Sequence, residues 1–244
     1  MRPELFDEMA AVQQTHWWFV ARREILASVI QRLNLPPRPD ILEIGCGTGA
    51  NLAMLSEHGH VVAMEYDDVA RGMAAKLAVC VVQAGGLPEP VPFADGTFDL
   101  VCLLDVLEHI EADAAAMTRV ARLLKPGGRV LLTVPAYGWL WSAHDTAHHH
   151  HRRYTASAVR SLAGQAGLVV QRVGYFNTLL FPLIAGARLL GKLLSLSNRS
   201  DAALPNRWVN ALLRLIFASE RHVVAHTGFP WGVSVIAVMT ARQE

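Results

Sequence analysis

Apolar residues recur at helical spacing at the start of the chain: Leu5, Met9 and Val12, then Ile25, Leu26, Val29 and Leu33. This periodicity predicts helix over 4–34. "LPPRPD" closes it, because three prolines cannot continue a helix. An alternation follows. Short, nearly continuous apolar runs predict strands over 41–44, 61–65, 79–82, 98–104 and 129–134. Helical patterns fall between them at 51–58, 69–76 and 112–124, the last stopped at "KPGG". "GGLPEPVPFADGT" is loop by composition. Strands alternating with helices predict a parallel sheet covered on both faces. Beyond a Pro-, His- and Trp-bearing segment, 135–154, the pattern predicts a helix over 155–166 with Thr155 as its cap. A strand over 168–175 comes next. Two apolar helices, 178–196 and 207–220, flank the polar "SNRSDAALPN", and "WGVSVIAVMT" predicts a last strand over 231–240.

Composition narrows the class. At 244 residues and 52% hydrophobic, the chain suits one α/β domain. The divisions are a helical lid over 1–39, a doubly wound core over 40–175 and 231–244, and a helical insertion over 176–230. The 22 basic and 21 acidic residues leave a net charge of +1, so no nucleic-acid partner is expected. Cys46, Cys80 and Cys102 sit in or beside apolar runs without CxxC spacing and read as buried small hydrophobes. "MRPELFDEMA" lacks the cationic-then-apolar pattern of a signal peptide. No apolar run reaches the roughly 18 residues of a spanning helix. A cytoplasmic location is expected, with contact at the inner membrane face left open.

"ILEIGCGTGAN" (41–51) raises the question of function. A strand that turns at once into a helix exposes free N–H groups and a positive dipole end. Gly45, Gly47 and Gly49 let the backbone turn tightly and let a ligand approach. Glu65 ends the second strand about twenty residues after the first glycine, where a carboxylate can accept from ribose hydroxyls. A nucleoside-bearing ligand is expected. The spacing is GxGxG, not the GxGxxG of dinucleotide sites, which counts against a nicotinamide oxidoreductase. The pattern resembles the first motif of class I S-adenosylmethionine-dependent methyltransferases. "AMEYDD" (63–68), "VPFADGTFDLVCLLDVLEHI" (91–110) and "LLKPGGRVLLTVP" (123–135) are similar to further motifs of that family. The resemblance covers roughly residues 40–135. It implies a Rossmann-like seven-stranded sheet with an antiparallel last strand, and S-adenosylmethionine as cofactor. It places Glu65 on the ribose and Tyr66 against the adenine, with Glu43, Gly86, Leu87 and Asp105 also at the cofactor. Relatives often carry an acidic residue before "PF" for the adenine amino group; here Glu89 is the candidate, and Gly86 and Leu87 backbone can substitute.

Three flanks bear on the acceptor. "HWWFVARREIL" (16–26) reads either as a core helix with a solvated arginine face or as a lid. In the lid reading Trp18 excludes water, and Arg22 or Arg23 meets the methionine carboxylate. "YGWLWSAHDTAHHHHRRYT" (137–155) follows the fifth strand and so faces the ligand crevice. It resembles a bacterial subgroup pattern, W-S-x-H-D then H-x-R-R-Y-T. His144 and Asp145 are then expected to act as a pair in which the carboxylate orients the imidazole, with His144 or His150 taking a hydroxyl proton. Arg152, Arg153 and Tyr154 are candidates for binding the acceptor. A packed loop of solvated imidazoles is the rival. No resident metal is expected, because adjacent histidines on an exposed loop seldom converge. Residues 176–220 pair apolar faces with Arg188, Lys192, Arg207 and Arg214, suiting a membrane headgroup boundary, a cap over the site, or a homodimer face. The expected function is methyl transfer to a small-molecule or lipid- or glycan-linked acceptor, at oxygen. The alternative is a noncatalytic S-adenosylmethionine-binding module of a membrane-associated assembly.

Overall fold

The computed structural model describes residues 3–193 and 204–241. Two helices open the chain, α1 (Pro3–Val12) and α2 (Trp17–Ile30). Then come β1 (Asp40–Ile44), α3 (Leu52–Ser56), β2 (His60–Glu65), α4 (Asp68–Lys76), β3 (Val81–Ala84) and β4 (Phe98–Leu104). They are followed by α5 (Asp113–Leu123), β5 (Leu124–Pro135), α6 (Ala143–Ala147), α7 (Ala156–Gln165) and β6 (Leu168–Phe176). The last elements are α8 (Phe181–Leu193), α9 (Arg207–Ser219), α10 (Arg221–Val224) and β7 (Ser234–Ala241).

The strands form one seven-stranded sheet in the order β3-β2-β1-β4-β5-β7-β6. β7 runs antiparallel to both neighbours, β5 and β6. The apolar runs are continuous because alternate residues serve opposite faces. In β4, Val101 and Leu103 join the core beneath α5 and α7, with Met117, Val120, Val159 and Leu162. Leu100, Cys102 and Leu104 join the other core, with Ile25, Leu26 and Val29 of α2, Phe217 of α9 and Val224 of α10.

Two elements depart from the sequence pattern. The first 30 residues are two helices, not one. The break comes at 13–16, where His16 is extended and its Nδ1 accepts the Trp18 N–H at 3.3 Å. Asn210 of α9 secures the break: its Oδ1 accepts from Trp17 N at 2.8 Å and its Nδ2 donates to Thr15 O at 2.9 Å. β5 starts five residues before the expected 129, through "KPGG". Leu124 pairs with Phe98 and Arg129 with Leu100, and the register shift between them absorbs the glycines.

Candidate active site

The strand order reverses between β1 and β4, and the crevice lies at their carboxyl ends. A cavity of about 1760 Å³ opens there. Its floor is the glycine turn. Gly45, Gly47 and Gly49 have φ of +66°, +55° and +88°, a region side chains rarely adopt. Their tasks differ. A Cβ on Gly49 would lie 2.7 Å from Leu77 Cδ1 and 3.3 Å from Ala74 Cα, so this glycine lets the turn pack on α4. A Cβ on Gly47 would meet nothing within 4 Å, and Gly47 lines the cavity. That is where a ligand can come closest to the backbone.

The Glu65 carboxylate holds this turn. Oε2 accepts from Gly47 N at 2.8 Å and Oε1 from Asp67 N at 2.9 Å. A carboxylate oxygen accepts more than one hydrogen bond, so both remain able to receive ribose hydroxyls. Next to Glu65, the Tyr66 ring is 78% exposed and lies against Gly86, where a Cβ would approach it to 3.1 Å. Glu43 lies beneath the turn. Its Oε1 accepts from Asn51 Nδ2 at 2.7 Å, and its buried Oε2 has no partner. Burial pushes the Glu43 carboxyl up to about 7, against the hydrogen bond from Asn51.

The amino-terminal helices form one wall. Phe6 and Met9 of α1 and Trp17, Trp18 and Phe19 of α2 line it. Gln13 latches this wall to the floor, accepting from Thr48 Oγ1 at 2.6 Å. Arg22 is buried. Its Nη2 meets Asp105 Oδ2 at 2.7 Å and Thr133 Oγ1 at 2.8 Å, and its guanidinium lies 5.1 Å from the Trp18 ring centroid. Asp105, just past β4, sits in the left-handed region at φ +62°.

The loop after β5 forms the opposite wall. Its ends are pinched together: Tyr154 N donates to Pro135 O and Tyr137 N to Tyr154 O, both at 2.9 Å. Within it, Ser142 and Asp145 cap α6 reciprocally. Asp145 is fully buried and gathers the loop. Oδ1 meets His150 Nδ1 at 2.9 Å and Arg153 Nε at 2.8 Å; Oδ2 meets Arg153 Nη2 at 2.8 Å. Burial opposes its charge, but the hydrogen bonds from His150 and Arg153 prevail and hold the carboxyl well below the usual range. The His150 ring then lies edge-on to His109, with centroids 4.6 Å apart. His144 and His148 stand beside it, their centroids 4.1 Å apart. Burial, then the neighbouring imidazoles, lowers His109 to about 4 and His148 to about 3.

Known proteins similar to this chain agree with the geometry. A family profile described as "Methyltransferase domain" matches residues 18–173. The chain belongs to this methyltransferase family. A probable S-adenosylmethionine-dependent methyltransferase of Mycolicibacterium smegmatis is 28% identical over 170 residues, 67% of this chain and 64% of that protein. A demethylmenaquinone methyltransferase of Mycolicibacterium vanbaalenii is 30% identical over 132 residues, 54% of each chain. The chain spans roughly half to two thirds of the length of these curated relatives. A solved putative methyltransferase from Bacillus halodurans shares the fold, with a TM-score of 0.61 over 89% of this chain and 99% of that one at 17% identity. The class is that of class I S-adenosylmethionine-dependent methyltransferases, and S-adenosylmethionine is its cofactor. The open face of Gly47 beside the Glu65 carboxylate suits that nucleoside.

Within this fold, the expected residues divide. Gly45, Gly47, Glu65, Tyr66, Gly86, Leu87, Asp105, Trp18 and Arg22 line the cavity, as do His144, His150 and Arg153. Glu43 and Gly49 do not; they shape the turn from below. Arg23 turns away, donating to Gln13 O at 2.8 Å. Glu89 reaches the cavity rim but is ion-paired with Arg119 at 3.0 Å. Two expected acceptor contacts are corrected. Arg152 pairs with Asp113 at 2.8 Å and donates to Glu111 O, while the Tyr154 hydroxyl donates to Asp113 at 3.0 Å. Both side chains face α5, because the pinch at 135–154 rotates them under the loop. Arg153 reaches the cavity with its fork already closed on Asp145. Gln13, Glu108, His109 and Asn177 are among the wall residues that escaped the sequence reading. "DVLEHI" carried a signal for two of them. Asn177, at φ +57° with both side-chain polar atoms buried and unpartnered, carried none.

Proposed function

We propose that this protein transfers a methyl group from S-adenosylmethionine to an oxygen of a small-molecule or lipid- or glycan-linked acceptor. The observation that carries the proposal is the set of imidazoles, ordered by the buried Asp145, on the cavity wall facing the glycine turn. When bound, S-adenosylmethionine supplies an electrophilic methyl on its sulfonium, and methyl loss leaves a neutral thioether. The protein's own task is to orient the acceptor and exclude water. Trp17, Trp18 and Phe19 exclude water at one wall. A hydroxyl acceptor must also lose its proton, and His144 or His150 is placed to take it. Asp145 accepts the His150 Nδ1–H and so presents Nε2 as the basic nitrogen.

The roof supports a lipid-linked acceptor. Ile184, Ala187 and Leu190 of α8 line the cavity, while Leu183 and Leu189 of the same helix are exposed. One helix would therefore connect a bilayer surface to the acceptor pocket. One relative is named for demethylmenaquinone, which supports a small-molecule acceptor. Single-turnover rates with labelled cofactor test it. His144→Ala or His150→Ala should lower the rate by about 10²–10⁴-fold with cofactor affinity intact. Parent rates in both folded variants would make the imidazoles structural.

A further inference from the structure

We propose that Glu108, His109 and His150 form a binding site for a divalent transition-metal ion of the zinc type, open to the acceptor pocket. Among the described residues, these three offer ligand atoms that all lie within 4.8 Å of one another. All three line the cavity. Two imidazoles and a carboxylate are the donor set of a catalytic zinc site, in which the fourth position stays open.

Two observations beyond proximity point to a cation. First, Glu108 is 1% exposed, and its Oε2 has no hydrogen-bond partner. A buried carboxylate oxygen left unpaired is costly unless something cationic meets it. Arg22 and Arg153, the nearby buried cations, are already engaged by Asp105 and Asp145. Second, Asp145 accepts from His150 Nδ1, which leaves the Nε2 lone pair free and fixes the ring. A carboxylate behind an imidazole in this way is the usual support of a metal-bound histidine. The segment is also anchored where it matters: His151 N donates to Glu108 O at 2.8 Å, tying the histidine loop to the Glu108–His109 turn. Zinc bonds of about 2.0–2.2 Å place tetrahedral ligands roughly 3.3 Å apart. The side chains therefore draw inward on binding, a movement well within rotamer adjustment. Magnesium, which demands oxygen ligands and keeps its waters, does not suit two imidazoles.

The consequence deepens the proposed reaction and rests on that reading. The open position faces the pocket, so an acceptor hydroxyl there would become more acidic. His150 would serve as a ligand rather than as the base. The hydroxyl proton would pass to His144, and the oxygen's freed electron pair would form the new bond to the methyl carbon as the methyl–sulfur bond breaks, its electron pair going to sulfur to leave the neutral thioether.

Cobalt(II) titration of the chelator-stripped full chain tests the site without any acceptor. The expected result is one Co²⁺ per chain with a visible ligand-field spectrum, displaced by Zn²⁺ and not by Mg²⁺. Glu108→Gln, His109→Ala and His150→Ala should each abolish that spectrum, with folding checked by circular dichroism. His149→Ala and His151→Ala, in the exposed part of the run, should leave it unchanged. Zinc-edge X-ray absorption of the unmutated protein should show two imidazoles and oxygen donors, a readout that no folding defect can mimic. No bound cobalt, or binding that survives His109→Ala but is lost with His149 and His151, overturns the site. Metal binding without transfer to any hydroxyl acceptor would instead overturn the proposed reaction. Transfer undiminished after chelation would remove the ion's role while leaving the reaction.

Discussion

Glu65 and Glu43 lie either side of the same glycine turn and do opposite things with their charge. Glu65 remains an acceptor to two backbone N–H groups at the cavity floor. Replacing it with Ala should remove charge-assisted hydrogen bonds to the ribose, each worth about 1.5–3 kcal/mol. Calorimetry should then show at least about tenfold weaker S-adenosylmethionine binding, and unchanged affinity would contradict the ribose role. Glu43 is buried, and folding raises its pKa from 4.5 to about 7. The folded chain therefore holds this proton more tightly than the unfolded chain. The resulting stability is present below 4.5 and is lost as pH rises through about 7. The difference amounts to about 3 kcal/mol. Glu43→Gln keeps the oxygen that Asn51 needs and carries no charge. Urea denaturation across that range should find the variant's stability flatter with pH than the parent's, and higher above about 7. Parallel pH profiles in the two proteins would show that Glu43 does not titrate there.

The helices at the amino terminus show how one element serves two masters. The inner half of α2 is core, with Ile25, Leu26 and Val29 fully buried. Its outer half is wall, and Trp17 also packs edge-on against Phe217 of α9 at 5.9 Å. The core and lid readings of 16–26 thus describe two ends of one helix, and the arginine face is not solvated: Arg22 is 4% exposed. Removing 1–24 would cut into the core. Removing 1–15 takes α1, the Gln13 latch and the carbonyls of Gln13 and Thr15 that accept from Arg23 and Asn210, and leaves the α2 core in place. That shorter deletion should leave a folded sheet by circular dichroism and weaken cofactor binding by about 1–2 kcal/mol, from one hydrogen bond and the lost apolar wall. Equal affinity in truncated and full chains would leave α1 without a lid role. The break between α1 and α2 was not legible in sequence. Nothing in the polar "QQTH" at 13–16 forbids helix, and the groups that stop it, His16 and Asn210, lie 194 positions apart in the chain.

Across the whole molecule, the carboxyl edge of the sheet carries the candidate site, and α8 and α9 also present an exposed apolar surface. Trp208, Leu212 and Leu215 of α9 are 70%, 57% and 70% exposed. Among the described residues no helix is long and apolar enough to cross a membrane. The basic residues first read as its electrostatic partners are partly spent: Arg214 meets Glu24 at 2.7 Å, and Arg207 lies over Trp208 at 4.8 Å. The side chain of Lys192 falls outside the described residues. Vesicle flotation should therefore detect reversible binding that persists in part at high salt and falls when Leu212 and Leu215 become Ser. No lipid-bound fraction at any salt would leave these helices as cap alone. The parallel sheet, the glycine turn and the cofactor class were legible from sequence, because each depends on periodicity or on spacing within a few residues. "WGVSVIAVMT" likewise announced its strand, since burial on both faces leaves a continuous apolar run. Which histidine Asp145 would hold was not legible. His144 is its neighbour along the chain, yet a short helix and the pinch at 135–154 deliver His150 to Oδ1 instead. Glu108 met that imidazole only because β4 and β5 lie side by side, and such a meeting between distant segments is decided by packing, which no local pattern encodes.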